Sequence, residues 1–211
     1  MSRLSICIVD YGVGNTHSVA NALSFLDYKV KISQVSDIVR SADILILPGV
    51  GAFEVAVSNL KASGLQELLH ELVIEKQKPI LGICVGMQMM ATYSEENGQH
   101  AGLNWIPGAV VKLDEKFGFP VPHVGWNTIS LVIHEPLFTR AHNESHFYFD
   151  HSFYFKPDAQ HHVAATVNYG PSITAAVQHE NICGVQFHPE KSQTNGLKLF
   201  RSFVNGIQQY A

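Results

Sequence analysis

The sequence predicts an α/β fold built on an open, mixed but mostly parallel sheet, with helices on both faces and extra antiparallel strands. In the first half, short β-branched runs alternate with longer amphipathic segments, which is the pattern of strand, helix and parallel strand units. In the second half, short strands follow one another without long helices, which indicates antiparallel pairing. Because no repeat or linker divides the 211 residues, we expect a single domain over residues 1–211.

The first half supplies the expected parallel strands. Residues 4–9 form a nearly continuous apolar run, as expected for a strand that is buried on both faces. Asn15 or Thr16 can cap a helix whose apolar side chains recur at helical spacing. Further strands are expected over 28–32, 43–47 and 79–83, and helices over 53–60 and 65–76.

The second half supplies the expected antiparallel strands. Its β-rich segments cover residues 110–113, 128–133, 146–150, 163–168 and 173–178. A further strand is expected over 183–187, and a closing helix over 197–207 follows Asn195 and Gly196.

Composition and charge exclude several classes of protein. Hydrophobic residues make up 46% of the chain and charged residues 15%, so a chain of this length can bury a large core and intrinsic disorder is excluded. There are 14 Lys and Arg against 18 Asp and Glu, and the formal net charge is -4. We therefore expect neither nucleic acid nor a membrane surface as a partner.

The cysteines and histidines indicate a reducing compartment and no metal. Cys7, Cys84 and Cys183 are too few and too scattered for a disulfide framework, so a cytoplasmic location is expected. We interpret Cys7 and Cys183 as small buried hydrophobic residues. His142 and His146 have the spacing of helical metal ligands, but no cluster of zinc type lies near them. We expect neither a metal nor a cofactor.

Glycine-rich turns follow the strands of the first half. Ligands of parallel sheets bind beyond the carboxyl ends of the strands, so these turns are the first candidates for a site. Gly12 and Gly14 begin like a dinucleotide-binding turn, but His17 stands where the third glycine belongs, so a plain tight turn is favoured. Gly49 and Gly51 lie in a second turn, where glycine lets backbone amides reach positions barred to larger residues.

A third turn points to a nucleophile. Gly82, Cys84 and Gly86 have the small-x-nucleophile-x-small spacing of a nucleophile elbow, between an apolar strand and a helix expected over 87–92. At the start of a helix, the dipole and the free amides favour the thiolate of a cysteine over its thiol. The amide of Val85 is placed to face an oxyanion.

A histidine and a glutamate complete the groups that a cysteine nucleophile needs, which are a base and an acid that orients it. His188 and Glu190 are two residues apart, so in extended backbone their side chains face the same side. Pro189 between them ends the preceding strand and restricts the backbone. Together with Cys84, they predict acyl transfer through a thioester.

The stretches around these residues resemble the two signatures of the class I, triad-type glutamine amidotransferases. They are LGICVGMQ over residues 81–88 and GVQFHPEKS over residues 184–192. Further stretches resemble the glutaminase subunit of imidazole glycerol phosphate synthase: DYGVGN at 10–15, LPGVGAF at 47–53, PHVGWN at 122–127 and FYFDHSF at 147–153. They span nearly the whole chain, so the resemblance implies the single-domain fold of this family.

The resemblance implies a role for each matching residue of the triad. Cys84 would attack the side-chain amide of glutamine, His188 would pass the proton to the departing ammonia, and Glu190 would hold His188. The oxyanion hole would be formed by the backbone at Val50, Gly51 and Val85.

The resemblance also implies a binding site for glutamine. The amino-acid group of the substrate would be held by Gln88 and Gly51, with the backbone near Ser152 and Phe153. Two positions depart from the usual pattern of the family, because Asp150 stands where an apolar residue is usual and Phe153 replaces a tyrosine.

A partner subunit is implied as well. The family passes its ammonia to a separate cyclase with a (β/α)8 barrel, and the heterodimer makes imidazole glycerol phosphate and an aminoimidazole carboxamide ribonucleotide. Asn15, Trp126 and Asn127 match positions near the contact with the cyclase. Trp126 alone could equally be an ordinary core residue.

Three other functions remain open from the sequence. A duplicated amidotransferase could supply ammonia to a sugar-modifying synthase, since such paralogues share the same motifs. A catalytically silent regulatory subunit is disfavoured by the intact Cys84, His188 and Glu190. A stand-alone cysteine hydrolase would act on other amides by itself, whereas we expect feeble activity without the cyclase.

Overall fold

A computed structural model describes residues 4–210. The strands, in chain order, are β1 Ser5–Val9, β2 Lys29–Ser33, β3 Ile44–Gly49, β4 Ile80–Cys84, β5 Tyr93–Ser94, β6 His100–Ala101, β7 Gly108–Lys112, β8 His123–Leu131, β9 His146–His151, β10 Phe153–Pro157, β11 Val163–Asn168, β12 Ser172–His179 and β13 Ile182–Val185. The helices are α1 Thr16–Phe25, α2 Ser36–Ser41, α3 Phe53–Ala62, α4 Leu65–His70, α5 Val85–Gln88 and α6 Gln193–Tyr210. A π-helical turn, Glu71–Glu75, continues α4.

The strands form a nine-stranded sheet in the order β2-β1-β3-β4-β13-β12-β11-β8-β9 and a four-stranded sheet in the order β10-β7-β5-β6. From β2 to β13 the neighbours in the larger sheet are parallel, and from β13 to β9 they are antiparallel. The mixed sheet and its extra antiparallel strands are therefore confirmed. In the described part of the chain, no helix has both the length and the apolar character that a bilayer crossing requires.

The centre of the larger sheet is covered on both faces. Every residue of β3 and β4 is buried, and successive side chains of a strand point to opposite faces. Helix α1 packs against α6, and α3 packs against α4 and α5. The helical covering and the near-continuous apolar strands fit the predicted α/β class.

The structure differs from the sequence-based expectations in several short elements. The two-residue strands β5 and β6 were not expected, because strands of that length have no measurable period. Strand β10, which begins only two residues after β9 ends, was not expected either. Helix α2 buries one side chain, Val39, and gives no clear apolar stripe.

The helix expected over 87–92 is wrong, because α5 ends at Gln88. The carbonyl oxygens of Met89 and Ala91 accept hydrogen bonds from the amides of Leu103 and Asn104 at 2.7 and 3.0 Å. The segment is thus bound to a later part of the chain and does not continue as a regular helix.

A ribbon of two strands reaches beyond the larger sheet. Residues 123–128 of β8 pair with β9, while only residues 129–131 pair with β11. Because β8 runs antiparallel to β4 across the sheet, its first residues lie at the edge where β3 and β4 end. We call the paired segments 123–128 and 146–151 the β8–β9 ribbon.

Candidate active site

Cys84 lies at a sharp corner between β4 and α5. Its φ is 53° and its ψ is -112°, a conformation that residues other than glycine rarely adopt. Two residues after Cys84, the backbone of β3 comes so close that only glycine fits. A Cβ at Gly86 would lie 1.9 Å from the carbonyl oxygen of Leu47. The backbone here has the form of a nucleophile elbow.

His188 and Glu190 form a buried pair beside Cys84. Nδ1 of His188 donates to Oε1 of Glu190 at 2.9 Å, and the two side chains are 3% and 1% exposed. Burial opposes the charged imidazole, but interactions with Cys84 and Glu190 outweigh it and raise the pKa of His188 to about 10. The three groups have the arrangement of a nucleophile, a base and an acid that orients the base.

The pair is held together by a turn, which corrects one step of the sequence analysis. The extended backbone expected there ends at His188, and Pro189–Lys191 forms a 3-10 turn that brings Glu190 back to the ring. Proline fixes its own φ near the helical value, which favours such a turn at its first position.

Strand β9 fixes the position of His188. The amide of His188 donates to the carbonyl oxygen of Tyr148 at 2.8 Å. Ser192 closes the connection, because its hydroxyl donates to the carbonyl of His188 at 2.6 Å and accepts from the amide of Tyr148 at 3.0 Å. The rings of Phe147 and Phe187 stack with centroids 4.1 Å apart. The base is therefore supported by bonds from the ribbon.

The turn after β3 lies directly beside the nucleophile. Gly49 stands opposite Cys84 in the register of β3 and β4, and Val50 and Gly51 line the same cavity as Cys84. Val85 is the first residue of α5, where backbone amides have no acceptor within the helix. The turn and the start of the helix therefore both lie next to Cys84.

These residues surround a cavity of about 380 Å³. Cys84 and His188 line it, together with the predicted Val50, Gly51, Val85, Gln88, Ser152 and Phe153. Glu190 lies behind His188. The cavity wall also contains Glu96, Pro122, Asp150, His151 and Lys191, of which the sequence analysis gave none a role. All but Glu96 belong to the stretches that carry the family resemblance. Their place in those stretches was the one sign in the sequence that they could belong to a site.

Gln88 and Gln186 connect the cavity wall to the nucleophile. Nε2 of Gln88 donates to the carbonyl oxygen of Phe153 at 2.9 Å and to Oε1 of Gln186 at 3.0 Å. Nε2 of Gln186 in turn lies 3.7 Å from Sγ of Cys84. Gln186 is completely buried, and it was not predicted as a site residue because it lies within an apolar strand-like run.

The residues expected at the partner contact lie at the same edge of the sheet. Asn15 precedes α1, beyond the end of β1. Trp126 is 49% exposed and packs edge-on against Tyr148, which excludes the alternative of an ordinary core residue. The amide of Asn127 points inward and contacts the ring of His123.

The histidines with metal-like spacing are bound to hydroxyl groups. His142 contacts Thr139, and His146 contacts Thr128 at 3.0 Å. Between residues 4 and 210, no group of three or more His, Cys, Asp or Glu side chains is placed to hold a metal ion.

Comparisons with known proteins show the family to which the chain belongs. It matches the family "Glutamine amidotransferase class-I" over residues 7–206. It is 45% identical over 206 residues to imidazole glycerol phosphate synthase subunit HisH 2 of Vibrio vulnificus, which covers 97% of this chain and 96% of that protein. It is 44% identical over 207 residues to subunit HisH of Pelagibacter ubique, covering 96% and 100%. The chain therefore belongs to the class-I glutamine amidotransferases and, within that class, to the HisH family.

Solved structures confirm the fold. The crystal structure of a glutamine amidotransferase superposes with a TM-score of 0.74 at 20% identity, covering 94% of this chain and 97% of that one. PurLQS from Thermotoga maritima gives a TM-score of 0.73 at 18% identity, covering 98% and 100%.

Proposed function

We propose that this chain hydrolyses glutamine to glutamate and ammonia through a thioester on Cys84, as the glutaminase subunit of an imidazole glycerol phosphate synthase. The observation that carries the proposal is that Cys84 and His188 line the same cavity. Cys84 lies at the strained corner after β4, and His188 is paired with the buried Glu190. The relatives are named as subunits of that synthase, and we extend their role in histidine biosynthesis to this chain.

The first half of the reaction forms the thioester. The thiolate of Cys84 attacks the side-chain amide carbon of glutamine, and negative charge develops on the amide oxygen. Backbone amides at Val50, Gly51 and Val85 stabilise this charge, and the loss of one such donor costs about 2.7–4 kcal/mol of barrier. His188 delivers a proton to the nitrogen, so the carbon–nitrogen bond breaks and ammonia leaves.

The second half restores the enzyme. His188, neutral after giving its proton to ammonia, takes a proton from water, the water oxygen attacks the thioester carbon, and glutamate leaves as the thiolate of Cys84 and the protonated His188 are restored. Glu190 stabilises the imidazolium that forms in each half, because its carboxylate lies 2.9 Å from Nδ1. The amino-acid group of the substrate is held by Gln88 and Gly51, with the backbone near Ser152 and Phe153.

The ammonia passes to a cyclase subunit with a (β/α)8 barrel, since free ammonia is protonated in water and lost to the reaction. An apolar surface beside the cavity supports this partner, because Val124 and Trp126 of the ribbon are 55% and 49% exposed and Val50 is 39% exposed. Exposed apolar groups of this kind mark interaction surfaces. We place the contact of the heterodimer there and at the neighbouring Asn15 and Asn127.

The proposed compartment is the reducing cytoplasm. Cys7, Cys84 and Cys183 are all free and buried, and a nucleophilic thiol requires conditions in which it stays reduced.

The test is glutamate release by the purified chain, alone and with a barrel cyclase and the nucleotide ligand of that cyclase. We expect the two chains to co-purify and glutamate release to be feeble until both additions are made. Full activity of the single chain on other amides would instead identify a stand-alone hydrolase. Stimulation only by a sugar-modifying synthase would identify a paralogue, and no release at all would identify a silent regulatory subunit.

A further inference from the structure

A series of hydrogen bonds runs from β8 to Gln88 and includes residues of the cavity wall. Nδ2 of Asn127 lies 3.3 Å from Nε2 of His123, and Nδ1 of His123 lies 3.0 Å from Nε2 of His151. Nδ1 of His151 lies 2.9 Å from the carbonyl oxygen of Phe153. The same oxygen accepts from Nε2 of Gln88 at 2.9 Å. Both histidines are buried, so the middle of the series is shielded from bulk water.

The direction of each bond follows from the two ends of the series. The carbonyl oxygen at the inner end can only accept, so Nδ1 of His151 carries the proton and its Nε2 accepts from Nδ1 of His123. Nε2 of His123 then accepts from the amide of Asn127. That amide is fixed in turn, because its Nδ2 donates to the carbonyl of Asn168 at 3.1 Å and its Oδ1 accepts from the amide of Thr128 at 2.8 Å.

The charge state of the two rings agrees with this assignment. Burial lowers the pKa of His123 to about 4. Burial and the neighbouring His123 lower the pKa of His151 to about 3. Both rings are therefore neutral at pH 7, as the assigned tautomers require.

The carbonyl of Phe153 decides how Gln88 faces the cavity, because a carbonyl oxygen only accepts, and His151 holds that carbonyl in place by donating to it. A carboxamide occupies nearly the same space after a half-turn about its last bond, so its partners decide which atom points where. Both protons of Gln88 are given to acceptors behind it, the carbonyl of Phe153 and Oε1 of Gln186. Its own Oε1 is then left for the cavity, where it can accept from an ammonium group. The carbonyl of Phe153 already accepts twice, so its role is to hold Gln88.

We propose that His123 and His151 are positioning residues that hold Gln88 in the amide orientation that accepts from the α-ammonium group of glutamine. This deepens the proposed glutaminase function and rests on it. The series ends at Asn127, next to the exposed Trp126, so the orientation of Gln88 is tied to the strand on which we place the partner contact.

Two substitutions at His151 test the proposal with side chains of nearly equal size. In H151N, the asparagine Nδ2 takes about the place of the histidine Nδ1 and keeps a donor for the carbonyl of Phe153. In H151L, that donor is lost while the shape is retained. His162 supplies the control H162L, because it is also a buried histidine but lies before β11 and outside the cavity wall.

Two reagents that alkylate Cys84 separate recognition of the amino-acid group from reactivity of the thiol. A chloroketone analogue of L-glutamine carries the α-ammonium group, whereas iodoacetamide lacks it. In the full chain, we expect H151L to react with the chloroketone at least about 10-fold more slowly, which is the loss typical of a hydrogen bond to a charged group. H151N and H162L should stay within about 2-fold of the wild type, and iodoacetamide should modify Cys84 equally in all four proteins.

The outcomes are distinct. Equal chloroketone rates in the wild type and H151L overturn the proposal, and so does a parallel loss with both reagents, which means that His151 only supports the fold. A wild-type chain that reacts with iodoacetamide but not with the chloroketone overturns the proposed glutaminase function itself. In the complex with the cyclase, the proposal requires H151L to raise the KM for glutamine by a larger factor than it lowers kcat.

Discussion

Nδ1 of His188 donates a hydrogen bond of 2.9 Å to Oε1 of Glu190 across a 3-10 turn, and both side chains are almost completely buried. The turn is anchored to β9 through Tyr148 and Ser192. The base is thus positioned by a strand that also contributes His151 to the cavity wall. This arrangement fixes the imidazole more firmly than a flexible loop would, and preorganisation of that kind is what acyl transfer requires.

Replacement of the nucleophile separates the two reactions of the complex. In Cys84→Ala, we expect glutamine-dependent synthesis to fall by about 10³-fold or more, because no thioester can form. Synthesis driven by added ammonium salt should survive, since the cyclase receives ammonia directly. Product formation from each nitrogen source is the measurement. If both activities disappear, Cys84 has a structural role instead.

Replacement of the orienting acid should cost less than replacement of the base. We expect His188→Asn to lower the kcat for glutamine by about 10²–10⁴-fold, the usual contribution of a general base. Glu190→Gln should lower it by only about 10-fold, because the amide oxygen can still accept from Nδ1 while the negative charge is lost. Single-turnover glutamate release in the complex measures both. Equal losses would show that the carboxylate does more than orient the ring.

The exposed tryptophan of the ribbon should contribute to partner affinity. We expect Trp126→Ala to weaken binding of the cyclase about 10-fold, as for a large aromatic residue near the centre of an interface. Phe25→Ala is the matched control, because Phe25 is 76% exposed at the end of α1, toward the opposite edge of the sheet. Titration of each variant with the cyclase gives the dissociation constants. An equal effect of both substitutions would contradict the proposed interface.

Acid should destabilise the chain through its buried neutral histidines. The folded-state pKa of His151 is lowered to about 3, through burial and through the facing rings of His123 and His188. Below pH 6.5 the unfolded chain therefore binds a proton that the folded chain excludes. The free energy of unfolding falls as the pH drops from 6.5 toward 3, by up to about 1.4 kcal/mol per unit for each such group.

Denaturant titrations between pH 4 and pH 7 check this prediction. His151→Asn removes the titrating group, so its stability should depend less steeply on pH than that of the wild type. A steeper dependence in the variant would show that His151 is not held neutral.

The parallel half of the fold could be predicted because its strands carry local signals. The apolar runs of β1, β3 and β4 are visible in the sequence, and their predicted ends lie within two residues of those observed. The smaller sheet has no such signal. Strand β5 exists because Tyr93 pairs with Ala101 and Ala109. Pairing between separate segments cannot be predicted from the sequence of a two-residue strand.

The same distinction applies to the site. Cys84, His188 and Glu190 lie in short stretches whose spacing already suggests their chemistry. His123 and His151 are 28 residues apart and meet only because the register of β8 and β9 places them opposite each other. Both lie in stretches that carry the family resemblance, but nothing in those stretches shows that the two rings meet until that register is known.

The β8–β9 ribbon has a practical consequence for anyone who seeks to control this chain from outside. One side of it carries Trp126 toward solvent, while the other carries His151 into the wall of the cavity beside Cys84. An antibody fragment or a small engineered protein selected against the tryptophan side would cover the proposed partner contact without entering the cavity. Screens for such effectors are best run at low glutamine concentration, where a change in substrate affinity is most visible.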